Sequence, residues 1–117
     1  DAEMKLKRMD SLYPEGMDVG IFKSYCDDLV EILGMAKNHG ARMIIIFAPT
    51  LLGPEPGARW VTEFLDTCKT DYAFEMYDYT NMIQDYGYFA DHDHLNSRGF
   101  EFFVKQYLEP ILRKQHV

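Results

Sequence analysis

Four consecutive residues, Asp91-His92-Asp93-His94, gather two carboxylates and two imidazoles into one short stretch of the chain. Imidazole is the side chain whose ordinary pKa lies nearest neutrality, so it takes up and releases a proton under mild conditions. A carboxylate three residues away can accept from one ring nitrogen and leave the other to take a proton. It also stabilises the imidazolium that forms. On that reading His94 is a general base and Asp91 orients it. A second reading makes Asp91, His92, Asp93 and His94 a metal site, since both side-chain types are suitable ligands. Four adjacent residues cannot all point inward, however, and no distant His or Cys partner is evident. That reading expects zinc or manganese to be retained through purification. A third reading is structural: Asp91 and Asn96 close turns, and Ser97 caps the following helix.

The elements around this cluster follow from hydrophobic spacing. Ser97 starts a last helix with an apolar stripe of Phe100, Phe103, Val104, Tyr107 and Leu108, which Pro110 is expected to bend or end. Upstream, residues 73–77 read as a strand, and the stretch to Tyr88 as irregular with a helical turn at 80–84. Residues 42–47 contain the β-branched run Met43-Ile44-Ile45-Ile46-Phe47 between Gly40 and Pro49, a strand expected to be buried on both faces of a parallel sheet. Residues 58–69 read as a helix with Trp60, Val61, Phe64, Leu65 and Cys68 inward. Residues 19–39 read as another, carrying Phe22, Cys26, Leu29, Leu33 and Ala36, with Tyr25, Val30 and Ile32 widening the stripe. Asp18 is its expected N-cap and Gly40 its C′ residue. Helix, strand, helix, strand, loop, helix is an α/β pattern with parallel strands. The Asp91–His94 loop follows a strand, where α/β sheets bind ligands.

Length and composition set the limits. The 117 residues suit one domain, with residues 1–18 as an N-terminal arm or loop and 19–117 as the α/β part. A net charge of −7 repels phosphate backbones, which disfavours nucleic acid, and none is expected as a partner. The longest apolar run, Met43 to Pro49, falls far short of the ~20 residues of a membrane span. No signal peptide is evident in a chain beginning at Asp1, and the compartment is not indicated. Cys26 and Cys68 fit no zinc or redox spacing; free thiols are expected, and a disulfide stays open. Tyr77, Tyr79, Tyr86 and Tyr88 crowd the approach to the acidic loop, either lining a cleft or packing with their hydroxyls exposed. Thr50, just beyond Ala48-Pro49, falls at the same sheet edge as His94. Thr50 and Tyr88 are the candidate substrate contacts.

The string Phe89-x-Asp91-x-x-His94-Leu95-Asn96-x-x-Gly99 resembles the last conserved block of SGNH (GDSL-like) hydrolases. The element order over residues 19–112 looks like the second half of that three-layer, flavodoxin-like fold, with an incomplete parallel sheet. The resemblance implies that His94 activates a serine and that Asp91 orients His94. It implies ester hydrolysis or acyl transfer on acylated carbohydrate or lipid, no metal or organic cofactor, and an exported protein. The family places its serine in a Gly-Asp-Ser block after the first strand, with oxyanion donors from a later Gly and a Gly-x-Asn-Asp block. This chain has three serines. Ser24 falls within a helix, Ser97 follows His94 too closely, and Ser11 stands in Met9-Asp10-Ser11-Leu12, with Met for the family's Gly. The residues before Ser11 are too charged for a central strand, and no Gly-x-Asn-Asp occurs. The chain is therefore expected to be the C-terminal part of such a hydrolase, inactive alone, with its serine elsewhere. A non-catalytic binding domain of the same fold, and two chains that complete each other's sheet, are the alternatives. An open sheet edge also implies a homo-oligomer.

Overall fold

The computed structural model describes residues 3, 4, 7, 8 and 18–114. Ser11 and most of the expected arm lie outside the described residues. The first long element, α1, spans Val19–Asn38. Asp18 caps it, accepting from the Ile21 N–H at 3.0 Å, which satisfies one of the amides a helix start leaves open. Gly40 turns the chain away with φ +63°, a left-handed conformation that costs glycine nothing. The inward stripe buries Leu33, but Tyr25 and Ile32 do not widen it as expected. They are exposed, with Ile21 and Met35, on another side of the helix.

The sheet has two parallel strands, β1 (Ile44–Phe47) and β2 (Glu75–Asp78), joined through α2 (Ala58–Cys68). Ile44 pairs with Glu75 and Phe47 with Asp78. Parallel pairing needs such a crossover, since a short hairpin cannot reverse the chain twice. Strand β1 starts two residues later than expected. Arg42 is spent instead on the Glu75 carboxylate, with Nη2 2.8 Å from Oε1. Its guanidinium also donates to the carbonyls of Ile111 at 3.0 Å and Lys114 at 3.2 Å. The expectation that β1 is buried on both faces is corrected: all four of its residues are half-buried. A sheet of two strands is too narrow to cover either face of β1 completely.

The last helix is one rod in three parts: α3 (Ser97–Phe103), a π-helical turn at Val104–Leu108, and α4 (Glu109–Arg113). Pro110 neither ends nor breaks it. The wider turn changes the hydrogen-bond register just before the residue that has no N–H to give. The expected helical turn at 80–84 is reduced to a single hydrogen-bonded turn, with the Met82 N–H donating to the Tyr79 carbonyl at 3.1 Å, and a 3₁₀ turn follows at Tyr86–Tyr88. Ile83, Phe89 and Phe103 form one buried cluster, against which Ile46, Tyr79 and Tyr107 pack. Leu33, Leu65 and Cys68 are buried on α1 and α2. Trp60 is 44% exposed rather than core, touching Phe22 edge-on at 5.7 Å. Cys26 and Cys68 are free thiols, and burial is the main cause pushing the Cys26 thiol upward. Among the described residues no helix is long and apolar enough to cross a membrane.

Candidate active site

The Asp-His loop is framed by its own flanking residues. Phe89 and Leu95 form an antiparallel bridge, and the Ala90 N–H donates to the His94 carbonyl at 2.8 Å. Phe89 is buried and Leu95 packs against the same cluster. These apolar anchors leave residues 90–94 as a closed tip. Asn96, not Ser97, caps α3: its Oδ1 accepts from the Gly99 N–H at 2.9 Å, and its Nδ2 donates to the Gly87 carbonyl at 2.8 Å. An amide side chain serves both the helix start and the preceding turn, which a serine hydroxyl is too short to do. Gly99 is needed for close approach, since a Cβ there would stand 2.0 Å from the Tyr88 carbonyl oxygen. The loop is also tied to the exit of β1, where the Leu51 N–H donates to the His92 carbonyl at 2.8 Å.

At the tip, Nδ1 of His94 lies 2.9 Å from Asp91 Oδ1 and 3.1 Å from Oδ2. Asp93 Oδ1 is 2.8 Å from the same nitrogen. One nitrogen carries one proton, so the two carboxylates cannot both be served equally. The hydrogen bond belongs to Asp91, and Asp93 contributes mainly charge. Asp91 is itself placed by the Asp93 N–H, which donates to its Oδ1 at 3.1 Å. The Asp91 hydrogen bond, and then the charges of both carboxylates, raise His94 above its ordinary 6.5. The same hydrogen bond, followed by that from the Asp93 N–H, lowers Asp91 to about 2. The histidine side chain is 72% exposed, Asp91 54% and Asp93 26%. Among the described residues the contacts of the His94 ring run through Nδ1, and none is made by Nε2.

The sequence singled out Asp91 as orienter and missed the contact from Asp93. No periodic signal reports it, because it depends on the tight turn that folds residue 93 back beside residue 91. His92 is half-buried, with Nε2 3.6 Å from the other Asp93 oxygen. Asp91, Asp93 and His94 each offer one atom, all within 4.8 Å of one another. A divalent cation could be held there, but only in place of the Nδ1 proton that now bonds Asp91.

Two clefts flank the loop. The smaller, about 390 Å³, is bordered by Leu51, Leu52, Tyr86 and Asp91. The larger, about 670 Å³, lies over the carboxyl ends of β1 and β2 and reaches Asp93. Thr50 lines the larger one, but its hydroxyl donates to the Gly53 carbonyl at 2.6 Å. Tyr88 stacks on Phe102 at 5.0 Å, with Arg98 over its ring, and borders neither cleft. Tyr77 and Tyr79 stack on each other at 5.9 Å, while Tyr86 is exposed. Ser24 and Ser97 are exposed on α1 and α3, and neither bonds His94. Comparison with protein-family models, with curated proteins and with solved structures finds no match.

Proposed function

We propose that Asp91 and His94 are the acid–base half of a serine-type ester hydrolase or acyltransferase, with the nucleophile outside the described residues. The supporting observation is the Nδ1–carboxylate pair with Nε2 left open. This polarity makes imidazole a base toward an incoming hydroxyl while the proton on Nδ1 stays held. In such a reaction Nε2 would take the proton of a serine hydroxyl as its oxygen bonds the acyl carbon. It would then return that proton to the departing alcohol oxygen. Two parallel strands joined by a helix, with the loop beyond them, fit a three-layer, flavodoxin-like domain of SGNH type. The Leu95, Asn96 and Gly99 contacts give physical reasons for the residues that carry that resemblance.

A fluorophosphonate probe tests the reading, because it bonds covalently only to an activated serine. This chain alone should take no label, because its serine is expected elsewhere, and a longer chain that contains that serine should show one labelled serine by mass spectrometry. A label on Ser11 would mean that this chain carries its own nucleophile. His94→Ala should slow labelling by about 10²–10⁴-fold, the usual contribution of a positioned base. A longer chain that takes no label would be a non-catalytic binding domain, and one that labels equally well without His94 would remove His94 as the base.

A further inference from the structure

We infer that His92 is a positioning residue, whose ring holds the Asp93 carboxylate beside Nδ1 of His94. The inference rests on the proposed acid–base reading only for calling His94 a base; the arrangement belongs to the loop itself. Asp93 lies between two imidazoles. Its Oδ1 is 2.8 Å from Nδ1 of His94, and its Oδ2 is 3.6 Å from Nε2 of His92. The second distance is beyond hydrogen-bond length, so that contact is electrostatic. It comes from an N–H dipole in one neutral tautomer, or from a full charge in the imidazolium.

The two imidazoles differ in setting. His94 is exposed, whereas His92 is half-buried and its Nε2 is shut off from solvent. The main chain of His92 is fixed as well, since its carbonyl accepts from the Leu51 N–H at 2.8 Å. Its ring borders the smaller cleft beside Leu51, Leu52 and Phe89, which form an apolar wall. His92 is thus the anchored end of the trio and His94 the open end. A carboxylate on a short loop ordinarily turns among its rotamers. Turning Asp93 away from His92 would take its charge from a nitrogen that solvent does not reach, which costs more than losing a contact in water. The Asp93 charge therefore stays beside His94, where it adds to that of Asp91 and strengthens the base. The Asp93 N–H that donates to Asp91 at 3.1 Å belongs to the main chain, so this second support of Asp91 does not depend on the His92 ring.

The test follows the His94 ring through a pH titration by nuclear magnetic resonance, in the full chain. His92→Ala should lower the His94 midpoint by about half as much as Asp93→Asn does, because the carboxylate is then free to turn away. His92→Gln, whose amide nitrogen can stand close to the place of Nε2, should keep most of the original midpoint. In an Asp93→Asn background, His92→Ala should change nothing, since the route through the carboxylate is gone. Arg8, Tyr86 and Asp91 line the same cleft as the His92 ring, and an effect passing through them would appear equally in both backgrounds. The inference is overturned if His92→Ala leaves the midpoint in place or raises it. It is also overturned if the effect survives in the Asp93→Asn background, or if His92→Gln falls as far as His92→Ala. The readout is the proton on His94, so it is independent of the serine. The expected midpoints without His94-dependent labelling would keep the positioning role and remove the hydrolase.

Discussion

At the scale of single residues, the tip of the loop makes a prediction about protons. His94 should titrate above 6.5 when its ring is followed by magnetic resonance, because two carboxylates stabilise the imidazolium. Asp91→Asn should lower that midpoint most, since it removes both the hydrogen bond and a charge. Asp93→Asn should lower it less, since it removes mainly charge. Equal shifts from the two variants would mean that the single proton on Nδ1 is shared evenly. The pair is exposed, so 1 M salt, with a screening length of about 3 Å, should pull the midpoint back toward 6.5. The signs for stability follow from the same shifts. A raised His94 favours the folded state below pH 6.5, and this contribution is lost as pH rises through the folded value. A depressed Asp91 favours it above its ordinary 3.8, and this is lost as pH falls toward about 2. Between those limits the ion pair is complete, whereas base catalysis needs the neutral ring. Any His94-dependent rate should therefore rise on the alkaline side of that window.

At the scale of elements, two features decide whether the loop is held. Gly99→Ala would drive a methyl group into the Tyr88 carbonyl and push α3 off the 3₁₀ turn, breaking the Asn96 cap. The expected cost is about 2–4 kcal/mol, combining overpacking with a lost cap. Chemical denaturation measures it, and a loss under 1 kcal/mol would show that the turn yields easily. The second feature is Arg42, whose guanidinium joins β2 to the carbonyl end of α4. Glu75→Gln leaves a partly buried cation without its charge partner and should lower stability in the same denaturation measurement. The Tyr77 hydroxyl, which donates to the same carboxylate at 2.9 Å, keeps an amide oxygen to donate to in that variant. The sequence made α1, α2 and the start of α3 legible, because each carries apolar residues at helical spacing between clear signals such as Asp18 and Gly40. It did not show the π turn. That turn depends on how the rod accommodates Pro110, and Phe103, Val104, Tyr107 and Leu108 keep helical spacing either way. Asn96 was mistaken for a turn residue because Ser97 beside it is an equally good cap by type. Only the reach of the longer amide to Gly87 separates them.

At the scale of the whole molecule, the fold is flatter than its length suggests. Its extents are 44 × 36 × 18 Å and its radius of gyration is 15.9 Å, against about 13 Å for a compact domain of this length. Its accessible surface is 8314 Å², where about 6,600 Å² is expected for 13.7 kDa. This thinness is why Ile44 to Phe47 looked fully buried in sequence and are half-buried in space. The residue pattern reports what a strand is suited to, and only the assembled layers decide what covers it. It also explains the misplaced Trp60 and the second apolar side of α1. The pairing of His94 with Asp91 was legible because three residues along one turn fix it locally, whereas the clefts depend on layers no local pattern encodes. The uncovered surface leads to a last expectation. Ile21, Tyr25, Ile32 and Met35 lie exposed along α1, and among the described residues each strand has one edge without a strand partner. Both features favour association between copies. Light scattering from micromolar to millimolar chain should show the mass rising above 13.7 kDa. Ile32→Lys with Met35→Lys should reverse the rise if α1 carries it, and leave it intact if the strand edges do. A constant monomer mass across that range would mean that the open surface is tolerated in water.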